Sequence, residues 1–385
     1  MLNTPVTRQI DDAVREFEIA CDRDAIAEAL NFFDLHALEI WFGCTPARLR
    51  MLLQGLISRG APENSVVSAV YAFLLGDPVP TSLQGNRLKD AVLPEADSFA
   101  RMYEARLRGN IAGAVREAAE LARRRVDLHP VFDRRGGWNL FLSLQLGTTA
   151  MLAGELSQAL LYFAEARMHP PAPVLRFLRR EACAKEALLE ACEGNVEAAR
   201  QRFVEARAIE RSTSWTEPGT DVILTVVEAL LTPDQATGER LIAEVPVEQI
   251  GEIWPYYAIA RSRVLARRGA YTESERQIIL LDGMALPRVV GDGYPGNIPT
   301  LLRAALRLGF DDPRAAEQLL ATADPELPRT QLLLAVLSLN LGQPRQALQR
   351  VLDMPDRDRD LRQIAVWRHA LLASAHQRLE QLEEC

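Results

Sequence analysis

Apolar residues recur three and four apart along nearly the whole chain, and strand-like alternation is almost absent. The segments DDAVREFEIA, AGAVREAAELARRR and QLLLAVLSLNLGQPRQALQRVL each carry one apolar stripe at this spacing, the mark of a helix that buries a single face. Prolines fall mostly in short breaks (Pro170-Pro171, Pro218, Pro233, Pro287, Pro328), where a residue without an N–H is expected to stop one helix before the next. Breaks this short favour antiparallel neighbours. The pattern predicts an all-α fold of about eighteen helices stacked in antiparallel pairs as a right-handed α-solenoid.

One phrase recurs: a helix, a glycine turn, a small residue five positions later, then a second amphipathic helix. Its glycine and small residue are Gly109 and Ala114, Gly154 and Ala159, Gly194 and Ala199, Gly269 and Ser274, and Gly342 and Ala347. LLTPDQATGERLI near Thr232 and LRLGFDDPRAAEQL near Gly309 are expected to be degenerate units. The resulting period, roughly 33–45 residues, is that of helical-hairpin repeats. Glycine lets the first helix end in a left-handed turn, and the small residue lets the second pack closely.

The fullest unit has Leu146-Gly147, Ala150, Gly154, Ala159, Phe163, Ala166 and Pro171. These residues resemble a tetratricopeptide repeat. The opening stretch AIAEALNFFDLHALEIWFGCTPARLRMLLQGLISRGAPENSVVSAVYAFLLGDP, with YEARLRGNIAGAV and IWPYYAIARSRVLARRGAYTES further on, is similar to the helical-repeat region of MalT-like, LuxR-type bacterial transcription regulators. The resemblance implies an N-terminal helical region over residues 1–95 leading into tetratricopeptide-like repeats over 96–385, the last incomplete. It also implies that the chain is a sensor or interaction module, taking a small inducer or a protein partner in a concave groove. In that family the repeats lie between a P-loop ATPase and a DNA-binding helix-turn-helix. No G-x-x-x-x-G-K-[ST] occurs here. The end, WRHALLASAHQRLEQLEEC, reads as a first repeat helix without its partner: either a fragment of a longer regulator, the preferred reading, or a solvent-facing cap. A stand-alone scaffold for protein–protein interaction with no role in DNA control is the alternative function.

Composition changes this picture little. Formal net charge is −8, which argues against a nucleic-acid-binding surface and against direct nucleic-acid binding by this chain. Only Lys89 and Lys185 are lysine among 44 basic residues, which reads as a GC-rich bacterial coding bias. Five cysteines without a CxxC pair suggest neither a disulfide framework nor a zinc knuckle. The N-terminus lacks an apolar signal region and no apolar run approaches a membrane span, so a soluble cytoplasmic protein is expected.

Candidate chemistry is sparse. Gly291, Gly293 and Gly296 in GDGYPG match GxGxxG, with Asp311 about twenty residues on, but that motif needs a strand and a βαβ unit. Helical surroundings make it a loop between hairpins. Asp356, Asp358 and Asp360 imitate the start of an EF-hand loop, yet Leu361 and Trp367 stand where glycine and glutamate belong. His369 and His376 could share a helix face without completing a ligand set, and His129 and His169 each precede a proline. No metal site and no cofactor is expected from these incomplete sets, and no catalytic residue either, because no nucleophile elbow is present. Arg123-Arg124-Arg125 and Arg134-Arg135 are better explained by helix C-terminal carbonyls and nearby acids than by phosphates. The chaperone-binding lysine–asparagine clamp is also missing: its inward positions fall at about Leu144, Thr148, Ala184 and Leu188. The most plausible ligand- or partner-facing stretch is Trp254, Tyr256, Tyr257, Arg261 and Arg263, since aromatic and arginine side chains dominate binding hot spots. Core packing is the competing reading for Trp254, with Pro255 opening the helix.

Overall fold

The computed structural model describes residues 10–23, 25–62, 65–75, 93–124, 137–169, 173–284, 293–355 and 361–383. Among the described residues the regular structure is all helical, with no strand. The chain runs through α1 (Ile10–Asp22), α2 (Ile26–Gly43), α3 (Pro46–Ser58), α4 (Val66–Leu75), α5 (Leu93–Leu107), α6 (Ile111–Arg124) and α7 (Trp138–Ala153). It continues through α8 (Leu156–Met168), α9 (Arg176–Cys192), α10 (Val196–Ala208), α11 (Glu217–Leu231), α12 (Gln235–Ala243) and α13 (Trp254–Arg267). The last elements are α14 (Tyr271–Gly283), α15 (Tyr294–Gly309), α16 (Pro313–Leu320), α17 (Pro328–Asn340), α18 (Pro344–Leu352) and α19 (Arg362–Glu383).

The recurrent phrase in the sequence is one turn geometry written several times. Gly109, Gly154, Gly194, Gly269 and Gly342 all have φ between 72° and 79°. At Gly194 the glycine N–H donates to the carbonyl of Ala191 at 3.2 Å, and the next N–H, from Asn195, reaches back to Glu190 at 2.9 Å. This is the Schellman closure, which satisfies the last carbonyls of a helix. The carbonyl of Asn195 then accepts from Ala199 at 2.9 Å and starts α10. The small residue therefore lies in the first turn of the second helix, and Ala114, Ala159, Ala199, Ser274 and Ala347 are all 0% exposed. Ser274 replaces alanine because its hydroxyl lies 2.9 Å from that of Ser262 on α13.

Two features differ from the sequence reading. In the unit near Gly309 that glycine ends α15, and the left-handed residue is Asp311, at φ 57°. Ala316, five residues beyond Asp311, is fully buried, so the register is kept with an aspartate in the glycine place. The prolines act more as openers than as stops: α3, α13, α15, α16, α17 and α18 all have proline at the first or second position, where the missing N–H is an orphan anyway. Pro170, Pro171 and Pro287 lie outside the described residues.

Contacts divide the chain into two compact units. The first comprises the described residues of Met1–Leu146, Tyr162–Cys183 and Glu205–Thr220. Here α1 packs on α2, with Phe17 and Phe33 ring centroids 5.4 Å apart, and α5 packs on α6. Phe42, Phe141 and Phe177 form an edge-to-face cluster, Phe42 standing 5.6 Å from Phe141 and 5.0 Å from Phe177. Arg180 and Glu217 form a buried ion pair. Glu217 also accepts from the main-chain N–H and the hydroxyl of Ser212.

The second unit comprises the described residues of Gly147–Leu161, Ala184–Val204 and Asp221–Cys385. Within it α13 packs on α14, α15 on α16 and α17 on α18, and the odd-numbered helices also touch in series, α13 on α15, α15 on α17 and α17 on α19. Lys185, 5% exposed, donates to Thr148 Oγ1 at 2.8 Å and lies 3.6 Å from Glu252. Among the described residues no helix is long and apolar enough to cross a membrane.

Candidate functional site

Helix α13 shows why an aromatic and basic helix need not be a binding face. Residues 254 to 260 are buried without interruption. The Tyr256 hydroxyl donates to the carbonyl of Met151 at 2.6 Å, and that of Tyr257 donates to Ile242 at 3.1 Å. A buried phenol needs such a partner. Burial raises both hydroxyls above the ordinary tyrosine range. Arg261 donates to the Tyr257 hydroxyl at 2.8 Å. Trp254, Tyr256, Tyr257 and Arg261 are thus taken up by packing and internal hydrogen bonds. Arg263 has a different setting.

One turn of α13, carrying Ile259 and Arg263, forms a wall of an open pocket of about 570 Å³, a volume that includes solvent at its mouth. The pocket lies wholly inside the second unit. The other walls are single stripes of α15 (Tyr294, Ile298, Leu301, Leu302, Ala305), α17 (Arg329, Leu332, Leu333) and α19 (Gln363, Ile364, Trp367). Each helix contributes residues three and four apart, which share one face. The four helices are the ones that touch in series, so the pocket is built from one member of each successive pair.

Its polar groups are gathered by one short stretch, the end of α9. Arg263 donates to the carbonyls of Ala191 at 3.1 Å and Cys192 at 2.6 Å. Arg329 pairs with Glu193, which is 2% exposed, and its guanidinium lies 4.1 Å from the Tyr294 ring centroid. Because Ala191, Cys192 and Glu193 are consecutive, the two guanidiniums occupy the same end of the pocket. Burial pushes the Cys192 thiol up to about 12 and raises the Tyr294 phenol well above its usual range, so both are neutral donors near pH 7. The approach of the α7–α8 turn fixes the start of α15. A Cβ on Gly154 would meet Tyr294 Cβ at 2.4 Å, and one on Gly293 would meet the Ala153 carbonyl oxygen at 2.7 Å. Gly293 of the GDGYPG segment thus serves close packing, Gly296 lies in the first turn of α15, and Gly291 falls outside the described residues.

The remaining wall is aliphatic, apart from Gln363 and the Trp367 ring. Among the described lining residues there is no carboxylate, imidazole or thiol. Such a surface can enclose an apolar body and hydrogen-bond it at one end. Apart from Arg263, the lining was missed at the level of sequence, because its stripes look like any core-facing stripe. The weak signals were Tyr294, one turn from Ile298, and Arg329, one turn from Leu332 and Leu333, polar groups on otherwise apolar faces.

Among the described residues no three His, Cys, Asp or Glu side chains converge as a metal site would require. His369 and His376 are exposed on α19, and His169 lies 3.5 Å from Glu165. Arg123 and Arg124 both pair with Glu120. His129, Arg125, Arg134, Arg135 and the Asp356, Asp358, Asp360 run lie outside the described residues. The four inward clamp positions, Leu144, Thr148, Ala184 and Leu188, are buried. The chain matches no protein-family model, and no curated protein is similar enough to it to indicate a relationship.

Proposed function

We propose that this chain is a non-catalytic helical-repeat sensor module of the kind found in MalT-like, LuxR-type transcription regulators, and that it binds a small inducer in a groove lined by the first helices of its repeats. In this reading the helices of each unit are antiparallel pairs stacked in tetratricopeptide fashion. Support comes from the recurring left-handed turn with its buried small residue five positions on, and from the packing of α13 to α19 both in pairs and in an alternate series. The observation that carries the binding function is the 570 Å³ pocket on that alternate series. Its mainly apolar lining, with a few polar groups gathered at one end, is that of small-molecule sites. Occupancy favours whichever spacing of the four helices fits the ligand, and so shifts the population of states available to an attached domain.

The test is genetic. Disruption of the coding region in the source organism is expected to change a limited set of transcripts. Wild-type chain should restore them, and a pocket-filling Ala305→Phe chain should not. Unchanged transcripts would remove transcriptional control from the reading and leave the scaffold function in its place.

A further inference from the structure

The polar end of the pocket carries an excess of positive charge. Two guanidiniums line it, Arg263 on the carbonyls of Ala191 and Cys192 and Arg329 on Glu193. One carboxylate, Glu193, stands against them. One positive charge is in excess even with Glu193 ionised. The partial negative charge at the C-terminus of α9 offsets only part of it.

The guanidiniums are also held in place before any ligand arrives. Arg329 is fixed between Glu193 and the Tyr294 ring. Arg263 spends two N–H groups on carbonyls, of the five that a guanidinium carries. A planar acceptor with two oxygens suits the remaining fork, and an anion gains more there than a neutral acceptor. Beyond this end, the Ile298, Leu302, Leu332 and Ile364 walls offer no hydrogen bonds. A polyol would lose its hydration there without replacement, whereas an alkyl or aryl body would gain by leaving water.

Resting on the reading of this pocket as a ligand site, we propose that its ligand is a small amphiphilic monocarboxylate. The carboxylate lies at Arg263, and an unbranched or aromatic body lies along α15, α17 and α19. The commitment to a free small molecule follows from the enclosure: four helices of one unit wall the pocket, with an apolar lining and two guanidiniums at one end.

The experiment is calorimetric titration of the full chain with decanoate, decanol and decylamine, each below its micelle concentration. Decanoate is expected to bind at one site, about tenfold more tightly than either of the others. Ala305→Phe, which fills the pocket from α15, should abolish that binding, and Arg263→Gln should lower decanoate affinity about tenfold while leaving decanol unchanged. Decanol or decylamine binding as tightly as decanoate overturns the carboxylate assignment but leaves the pocket as a ligand site. Decanoate binding that survives Ala305→Phe also overturns it. If none of the three binds, both the assignment and the ligand-site reading fall. An acetylated hexapeptide ending in leucine that outcompetes decanoate would move the same chemistry to a protein C-terminus and overturn the small-molecule assignment. The wild-type comparison decides the question even where Arg263→Gln, which uncaps α9, fails to fold.

Discussion

The indole N–H of Trp215 donates to the main-chain carbonyl of Trp41 at 2.8 Å, joining residues 174 positions apart in the sequence. The Trp215 main-chain N–H also reaches the Phe42 carbonyl at 3.2 Å, and Thr213 donates to Asp11 at 2.8 Å. The segment between α10 and α11 thus fastens the C-terminal end of α2 within the first unit. Trp215→Phe keeps most of the ring and removes one donor, so it should lower stability by about 1 kcal/mol. Trp215→Ala also removes the packing and should cost about 3 kcal/mol or more. Urea titration of both variants checks this. Equal losses would show that the hydrogen bond, rather than the ring, supplies the fastening.

The left-handed turns permit a graded comparison. At Gly194 an added Cβ meets nothing within 4 Å, so Gly194→Ala should lose only the backbone preference, about 1 kcal/mol. At Gly154 the same methyl meets Tyr294 Cβ at 2.4 Å and its main-chain N at 3.0 Å. Steric strain adds to the backbone term there, for a loss of about 3 kcal/mol. Asp311→Gly has the opposite sign. It relieves a positive φ and should stabilise by about 0.5 kcal/mol, after the greater freedom of glycine in the unfolded chain is deducted. Urea midpoints in any order other than Gly154→Ala, Gly194→Ala, wild type, Asp311→Gly would contradict this account.

Arg180 and Glu217 are 4% and 2% exposed. Removing one member of a buried pair leaves a charge without its counter-ion and typically costs about 3–5 kcal/mol, whereas replacing both with apolar residues is far milder. Arg180→Met and Glu217→Met should each be severe, and the double variant should be more stable than either. A double variant as unstable as the sum of the singles would show no coupling between the two sites.

Alkaline pH should unfold the chain before its arginines titrate. Burial raises Cys21 and Cys44 to about 11 and Cys192 to about 12, from an ordinary value of 9.0. Well below pH 9 these thiols are neutral in both folded and unfolded chains, and their contribution is fully present. As pH rises further the unfolded chain releases protons that the folded chain keeps, so stability falls up to about pH 12. The buried Tyr256 and Tyr294 phenols act in the same direction at somewhat higher pH. A urea midpoint that is flat to about pH 8.5 and then declines is expected, with a shallower decline in Cys192→Ala. A midpoint independent of pH up to about 10.5 would contradict it.

How much of this was legible depended on the range over which each cause acts. The helices and five of their turns were readable because a Schellman closure is local: glycine, the next residue and the small residue all lie within six positions. In the unit near Gly309 the left-handed residue, Asp311, escaped because the hydrogen bonds of the closure, from Asp311 to Leu308 at 3.3 Å and from Asp312 to Arg307 at 2.9 Å, impose that conformation on whatever residue stands there. The pocket was legible only at Arg263. Its walls come from four helices across residues 259 to 367, and nothing along any one of them separates Leu332, 3% exposed, from an ordinary core leucine. Trp254, Tyr256 and Tyr257 suggest a binding face by residue type alone, whereas their surroundings come from distant parts of the chain such as Met151.

The serial contact of α13, α15, α17 and α19 makes the pocket a caliper. Each helix packs on the next, so small changes of spacing at the three junctions add along the series. A rigid molecule touching both Arg263 and Trp367 spans all three junctions and fixes their sum. Amide exchange should therefore slow together in α13 and α19 when the pocket fills, although those helices are far apart in the chain.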